Sequence, residues 1–344
     1  MEYRGIYNFF DSSKIEPYPI SKRTNKVKIE NLVLPDNAIK SDYNVSNENK
    51  EQIEEIAEKV VQLRKESKPV ILFTGAHSIK NGLGPLIADL VRRDILTLVA
   101  GNGATTIHDF ELALIGETSE YVPMALEKGQ FGMAYEFAYI NAALSTGNKH
   151  KLGYGETLGR MICDKLYRDE ILKNAANAES PREFKYPHFS VLAACYDKKI
   201  PFTVHVGIGT DVIDQHHSFD GQAKGGCSGR DFLIYTNQAT RFTKGGMVFN
   251  IGSAVTGPEV LLKAVSMAAN TGFKPDNLMT ADFDVRQYEP SKSNDEASAG
   301  YYFRDQKSVV TRIPQAFNGK GYYVQGNQKQ TFPLLYKKII EKLI

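Results

Sequence analysis

Between residues 70 and 272 the chain alternates short, unbroken apolar runs with segments of helical period, and few folds accommodate that pattern. "VILFTG" (70–75) is apolar on both alternating faces, so it suits a strand covered on both sides. A glycine-bearing loop and the helical "GPLIADLVRR" follow, then "ILTLVAGNG" as a second strand and "TIHDFELALIG" as the helix after it. Two strands joined by a crossover helix make a βαβ unit with a parallel pair. "FSVLAACYDKK", "IPFTVHVG", "RDFLIYTNQATRF" and "GGMVFNIGSAVTGPEVLLKAVSMAANTG" carry the alternation onward. The expected fold class is α/β, a doubly wound and mostly parallel sheet.

The flanks read differently. Residues 1–48 are polar and broken by Pro17, Pro19 and Pro35, which suggests an N-terminal arm ahead of one α/β domain over 49–344. Ile53, Ile56, Val60, Val61 and Leu63 then fall at helical steps, so a helix is expected from about 48 to 66, with Ser46 or Asn47 as its N-cap. Residues 282–330 are polar, rich in Tyr, Gly and Asn, and poor in period, which marks an irregular active-site region. "TFPLLYKKIIEKLI" closes the chain as an amphipathic helix.

Composition narrows the partners. The 42 Lys and Arg nearly balance 40 Asp and Glu, so no strong field exists to hold nucleic acid or a membrane surface. No apolar run reaches the length of a membrane span and the N-terminus lacks a secretory pattern, so a cytoplasmic protein is expected. Cys163, Cys195 and Cys227 are evenly separated with no CxxC, which suits isolated buried thiols rather than disulfides or a zinc knuckle.

Doubly wound sheets bind ligands beyond the carboxyl ends of their strands. Three loops fall there: "TGAHSIKNG" with Thr74 and Gly75, "GNGATTIHD" with Gly103, and "NIGSAVTGPE" with Gly252 and Ser253. Glycine and small hydroxyl residues let backbone amides approach a pyrophosphate, although the full GxGxxG is absent and many such turns need glycine only for φ > 0. A second constellation, "HVGIGTDVIDQHHSFDG", holds His205, Asp211, Asp214, His216, His217 and Asp220. Metal ligation, ligand contacts, or turns and caps all suit such a cluster. His108, Asp109 and Glu111 open a helix, where acids suit the dipole and a neutral imidazole can accept a proton.

Taken together these segments resemble the deoxyhypusine synthase-like family, NAD-binding enzymes with a Rossmann-like sheet that process polyamines. The resemblance runs in order over about 68–304. "ILFTGAHSIKNGLGPLIADLVRRDILTLVAGNGATTIHDFELAL" is similar to the family's first nucleotide loop, helix and second glycine loop, which places Ser78 and the turn Asn102, Gly103, Ala104 near NAD. "IPFTVHVGIGTD" resembles the segment whose aspartate contacts the cofactor, here Asp211. In "GGMVFNIGSAVTGPEVLLKA", Glu259 takes the place of a polyamine-contacting histidine. "TADFD" resembles a strand end near the cofactor, with Thr280 and Ala281, and together with "NDEASAGYY" it supplies the family acids Asp284, Asp295 and Glu296. Where the family places an imine-forming lysine, this chain has Tyr301 and Tyr302, with no lysine until Lys307, and it contains no tryptophan. A phenol cannot form a Schiff base. "IHDFELAL" also resembles the archaeal-type NAD-dependent ornithine cyclodeaminases.

The resemblance implies an NAD-dependent enzyme that removes hydride from the carbon bearing an amine, the imine then meeting a second amine, an internal one, or water. His108 or His205 would shuttle the proton, Glu259 and Glu296 would take part in catalysis, and Asp109, Asp284, Asp295 and Glu296 would bind the substrate, with Asp211 also facing the cation. No metal is expected, and the resemblance implies a homo-oligomer, a tetramer. The rivals are an ornithine cyclodeaminase-like deaminating enzyme, a metal-dependent hydrolase using the 205–220 cluster, and an inactive nucleotide-binding module.

Overall fold

A computed structural model describes residues 3–177, 180–293 and 295–343. Its eight strands are β1 (Asn25–Lys28), β2 (Val70–Thr74), β3 (Leu98–Gly101), β4 (Glu117–Glu120), β5 (Phe202–Val204), β6 (Gly246–Ile251), β7 (Leu278–Asp284) and β8 (Gly321–Gln325). Six of them form one sheet in the order β5-β3-β2-β6-β7-β8, with every neighbouring pair parallel. Counted along the chain within that sheet, the order is 3-2-1-4-5-6, that of a dinucleotide-binding doubly wound sheet. β1 and β4 pair antiparallel in a separate small sheet.

The apolar runs are continuous because both faces of the sheet are covered. Successive side chains of a strand point to opposite faces, so Val70 and Leu72 enter one buried cluster while Ile71 and Phe73 enter the other. On the first face lie α1 (Asn47–Lys65), α2 (Gly84–Arg92), α3 (Gly103–Ile115) and, nearer the chain's end, Val191–Lys198 and Gln328–Glu341. Gly221–Ala239 and Thr256–Asn270 cover the second face through Tyr235, Ala239, Leu261 and Val265. The helix foreseen at 48–66 spans Asn47–Lys65, capped by the Ser46 hydroxyl, which accepts from the Asn49 amide. Among the described residues no helix is long and apolar enough to cross a membrane.

One stretch departs from the sequence reading. The 282–330 stretch is less irregular than its composition suggests, since it holds a π-helix, Asp305–Arg312, and the sixth strand β8. The "GYYVQ" of β8 is short, and only Tyr322 and Val324 are buried, so its signal is weak. The N-terminal arm is also bound into the fold: β1 pairs with β4, and the Arg23 guanidinium is buried against Glu111.

His205, a candidate proton shuttle, is a core residue instead. It is enclosed by Phe73 and Tyr235, each with its ring centroid 5.5 Å away, and its Nε2 meets the Thr203 hydroxyl at 3.1 Å. Burial pushes its pKa down to about 3. Unfolded histidine titrates near 6.5, so between these values the unfolded state binds more protons and stability falls as pH drops. His205→Phe is therefore expected to resist acid better, by about 2 kcal/mol relative to the parent between pH 7 and pH 5, read from urea unfolding at both values.

The sheet also carries a steric test. A Cβ built on Gly75 would lie 2.0 Å from the Gly252 carbonyl oxygen. Gly75→Ala should cost about 1–3 kcal/mol in urea unfolding, because two backbones must separate to admit it.

Candidate functional site at the strand switch

From β2 the chain crosses to β3 on one side of the sheet, while β6 lies on the other, so the strand order reverses between β2 and β6. Ligands of doubly wound sheets bind in the crevice that this reversal opens beyond the carboxyl ends. Here the Gly75 amide donates to the Ile251 carbonyl at 3.0 Å, and Gly252 turns away at φ +70°, a conformation that favours glycine. The floor thus includes the Gly252 backbone, with the Gln328 side chain against it. A cleft of about 380 Å³ opens over this floor, lined by His77, Gly252, Ser253, Asp282, Asp284 and Arg286, among others.

The β7 side of the cleft is acidic. Asp282 and Asp284 are two apart on a strand and share a face, and the π-helix brings Asp305 to them. The three carboxylates each offer an oxygen within 4.8 Å of the others. Asp282 is 1% exposed; one oxygen accepts from Asn250 Nδ2 at 2.7 Å, while Oδ2 has no hydrogen-bond partner. Burial, and after it the nearby Asp305, raise the Asp282 pKa well above the usual carboxylate range. Asp305 is raised as well, by burial first, against the pull of Arg286. That guanidinium donates through Nε to Asp284 at 2.6 Å and pairs through an Nη with both Asp284 and Asp305.

The cleft also meets one histidine, with a second near it. His77 lines the cleft, and burial, then Lys80 and His108, lower its pKa. His108 Nδ1 meets the Thr118 hydroxyl at 2.6 Å, and that hydroxyl donates to Glu111. Glu111 is paired with Arg23 at 2.6 Å; although burial opposes it, the Arg23 charge and the His108 contacts hold its pKa down to about 2. A buried chain Arg23–Glu111–Thr118 thus orients the one partly exposed imidazole at its end.

The other sequence candidates are dispersed. Asp109 is buried and accepts from Ser190 Oγ and the Val191 and Leu192 amides at the start of helix Val191–Lys198, so it caps a helix rather than facing substrate. Thr74 and Ser78 are buried and bonded to each other at 2.6 Å. Thr280 and Ala281 lie inside β7, the Thr280 hydroxyl donating to the Val309 carbonyl. Glu259 pairs with Lys263 and Arg304. Asp295 caps the Ala297 amide and Glu296 accepts from Tyr301 Oη, both on an exposed turn. Lys307 is buried, its ammonium 2.9 Å from the centre of the Tyr301 ring.

The second glycine loop is already filled. Asn102 Oδ1 accepts from the Thr105 amide, and the Asp211 carboxylate accepts from the Ala104 amide beside Gly103. Asp211 and Asp214 converge on Lys224 Nζ at 2.8 and 2.7 Å, and Asp220 caps helix Gly221–Ala239. His216 bonds to Ser218. The 205–220 cluster therefore builds ion pairs and caps, and the grouping of potential metal ligands among the described residues is the Asp282 trio. Sequence reasoning had a signal for Asp282, the alternation in "DFD" at a strand end, and none for Asp305 or Arg23, which arrive through the π-helix and the arm.

A groove of about 920 Å³ lies at the sheet's far edge, beside β8 and the start of α1. It lacks convergent acids or histidines, so the smaller switch-point cleft is the better candidate.

No protein-family model and no curated protein matches the chain. Solved structures share its architecture. ArgZ, an arginine dihydrolase from the ornithine-ammonia cycle in cyanobacteria, is 14% identical with a TM-score of 0.48, over 87% of this chain and 32% of its own. AgrE, solved with ornithine and NAD+, is 14% identical with a TM-score of 0.49, over 87% of this chain and 34% of its own. A deoxyhypusine synthase from Entamoeba histolytica is 9% identical with a TM-score of 0.41, over 80% of this chain and 76% of its own. This chain spans about a third of the length of ArgZ and AgrE. The likeness is one of α/β fold.

Proposed function

We propose that this chain is an NAD-dependent enzyme acting on a small cationic amine at the β2/β6 switch point. The observation that carries this reading is the meeting, in one cleft, of a glycine floor and the Asp282, Asp284 and Asp305 carboxylates. A glycine at the strand end suits close approach of a dinucleotide, and carboxylates in a partly desolvated cleft suit an ammonium or guanidinium. Gly75, Gly252 and Ser253 would hold the cofactor. NAD, when bound, supplies an acceptor for the hydride on the carbon next to the amine. The acids orient the amine, and His108, backed by Thr118 and Glu111, takes the proton that the nitrogen must shed. Whether the imine is transferred, cyclised or hydrolysed depends on what enters next, so the transferase and lyase readings share this first step. An assembly of several copies belongs to the proposal as well.

Calorimetric titration with NAD should show binding, and spermidine, putrescine or ornithine should then raise absorbance at 340 nm. Asp282→Asn is expected to keep NAD affinity while lowering kcat/KM for the amine about thirtyfold or more, roughly 2 kcal/mol, because the cation loses a buried partner. Absence of NAD binding at millimolar concentration would sink the reading.

The relay makes a separate prediction. Thr118→Val breaks the link between His108 and Glu111 at nearly constant volume. It should lower kcat by about 10- to 100-fold and move the acid limb of the pH–rate profile, with KM little changed. An unshifted profile with normal turnover would make the relay a tether for the arm and nothing more.

A further inference from the structure

The acidic side of the cleft already holds one cation, and it belongs to the chain itself. Arg286 stands two residues beyond Asp284, outside β7, and reaches back so that its Nε and an Nη meet Asp284 while the same Nη meets Asp305. One face of its guanidinium lies over Phe303, 4.6 Å from the ring centre. The side chain is 30% exposed, so it approaches the carboxylates from the solvent side rather than from the core. Beneath it lies Asp282, 1% exposed, with Oδ2 unpartnered in the cleft wall. Three carboxylates thus gather at one guanidinium, and the deepest has an oxygen that nothing among the described residues satisfies.

We infer that this corner is a subsite for a guanidinium-type cation, and that Arg286 is its resident occupant, displaced when the cationic end of a ligand enters. The shape of the contacts sets the class. A guanidinium has in-plane donors at its rim and weakly hydrated faces, and here the rim meets carboxylates while a face meets an aromatic ring. An ammonium satisfies the carboxylates but has no flat face to lay on Phe303. The entering cation also reaches Asp282 Oδ2, which Arg286 leaves unpaired, so exchange adds a charge-assisted bond. Arg286 then swings outward on its irregular segment, with no strand or helix disturbed. This inference rests on the reading of the cleft as a cation site, and it is independent of NAD.

An alternative role for Arg286 is a permanent brace that ties β7 to the π-helix. The two roles predict opposite signs. Methylguanidine, methylammonium and magnesium would each be titrated into the full chain without NAD, by calorimetry, for the parent and for Arg286→Gln. A displaceable occupant predicts that the variant binds methylguanidine at least tenfold more tightly than the parent, with a smaller gain for methylammonium. Equal or weaker binding by a folded variant overturns the inference, and so does tighter binding of magnesium than of methylguanidine, which assigns the trio to a metal. Should Arg286→Gln fail to fold, the parent decides the matter by nuclear magnetic resonance. The Nε–H signal of Arg286, identified by its loss in Arg286→Lys, should exchange faster with water as methylguanidine is added. A signal unchanged at saturation shows a fixed brace. Loss of NAD binding with methylguanidine binding intact would overturn the proposed reaction and leave this subsite standing; the reverse result would do the opposite.

Discussion

The crevice exists because two backbones meet with nothing between them. Gly75 leaves β2 bonded to the end of β6, and a single methyl group on it would overlap the Gly252 carbonyl. Gly252 itself takes a backbone conformation that L side chains rarely adopt. With side chains excluded at both strand ends, the chain leaves the sheet in two directions and opens a polar cleft over an otherwise apolar core. Close packing elsewhere makes this opening specific: the strands beneath it are buried on both faces, so a ligand has access at the carboxyl ends and not through the layers.

Buried charge separates scaffold from site. Lys224 is buried, yet it is answered by Asp211, Asp214 and the Gly207 carbonyl. Arg23 and Glu111 answer each other. Asp109 accepts two amides and a hydroxyl. These groups have counter-charges or hydrogen-bond partners within the fold, although one Arg23 nitrogen is left unpaired. Asp282 differs in where it lies: a carboxyl with one oxygen unpaired, displaced far upward in pKa, and placed in a cleft wall. Groups perturbed by desolvation with specific charged neighbours concentrate where proteins bind and react.

Much of the architecture was legible in the sequence because burial on both faces leaves a simple trace. "VILFT" and "GMVFNI" carry no polar residue except at their carboxyl ends, where the crevice begins. β8 was not legible, since an edge strand of five residues with alternate burial resembles a loop. The site was legible in part. Gly252, Ser253 and Asp284 stand out in the sequence at strand ends, and they line the cleft. Asp109, His205 and Thr280 were also named, but residue type does not reveal whether a polar group turns outward or is satisfied within the core. Asp305, Arg23 and Thr118 depend on contacts between segments far apart in sequence, and no local pattern carries such contacts.

The acids of the cleft and the histidine near it are suited to different tasks. An ammonium held by carboxylates is stabilised in its protonated form, so its own pKa rises on binding. Yet removal of hydride from the neighbouring carbon draws on the nitrogen lone pair, which the bound proton blocks. The carboxylates that bind the cation are therefore poorly suited to complete the reaction, because their charge holds the proton on the nitrogen rather than removing it. The proposed reaction needs a separate base, with its own source of charge. In the proposed reaction His108 would meet that need, because Glu111 is held ionised by Arg23 and addresses the imidazole through Thr118. The same contacts tie the N-terminal arm to that imidazole, with Glu111 and Thr118 standing between Arg23 and His108.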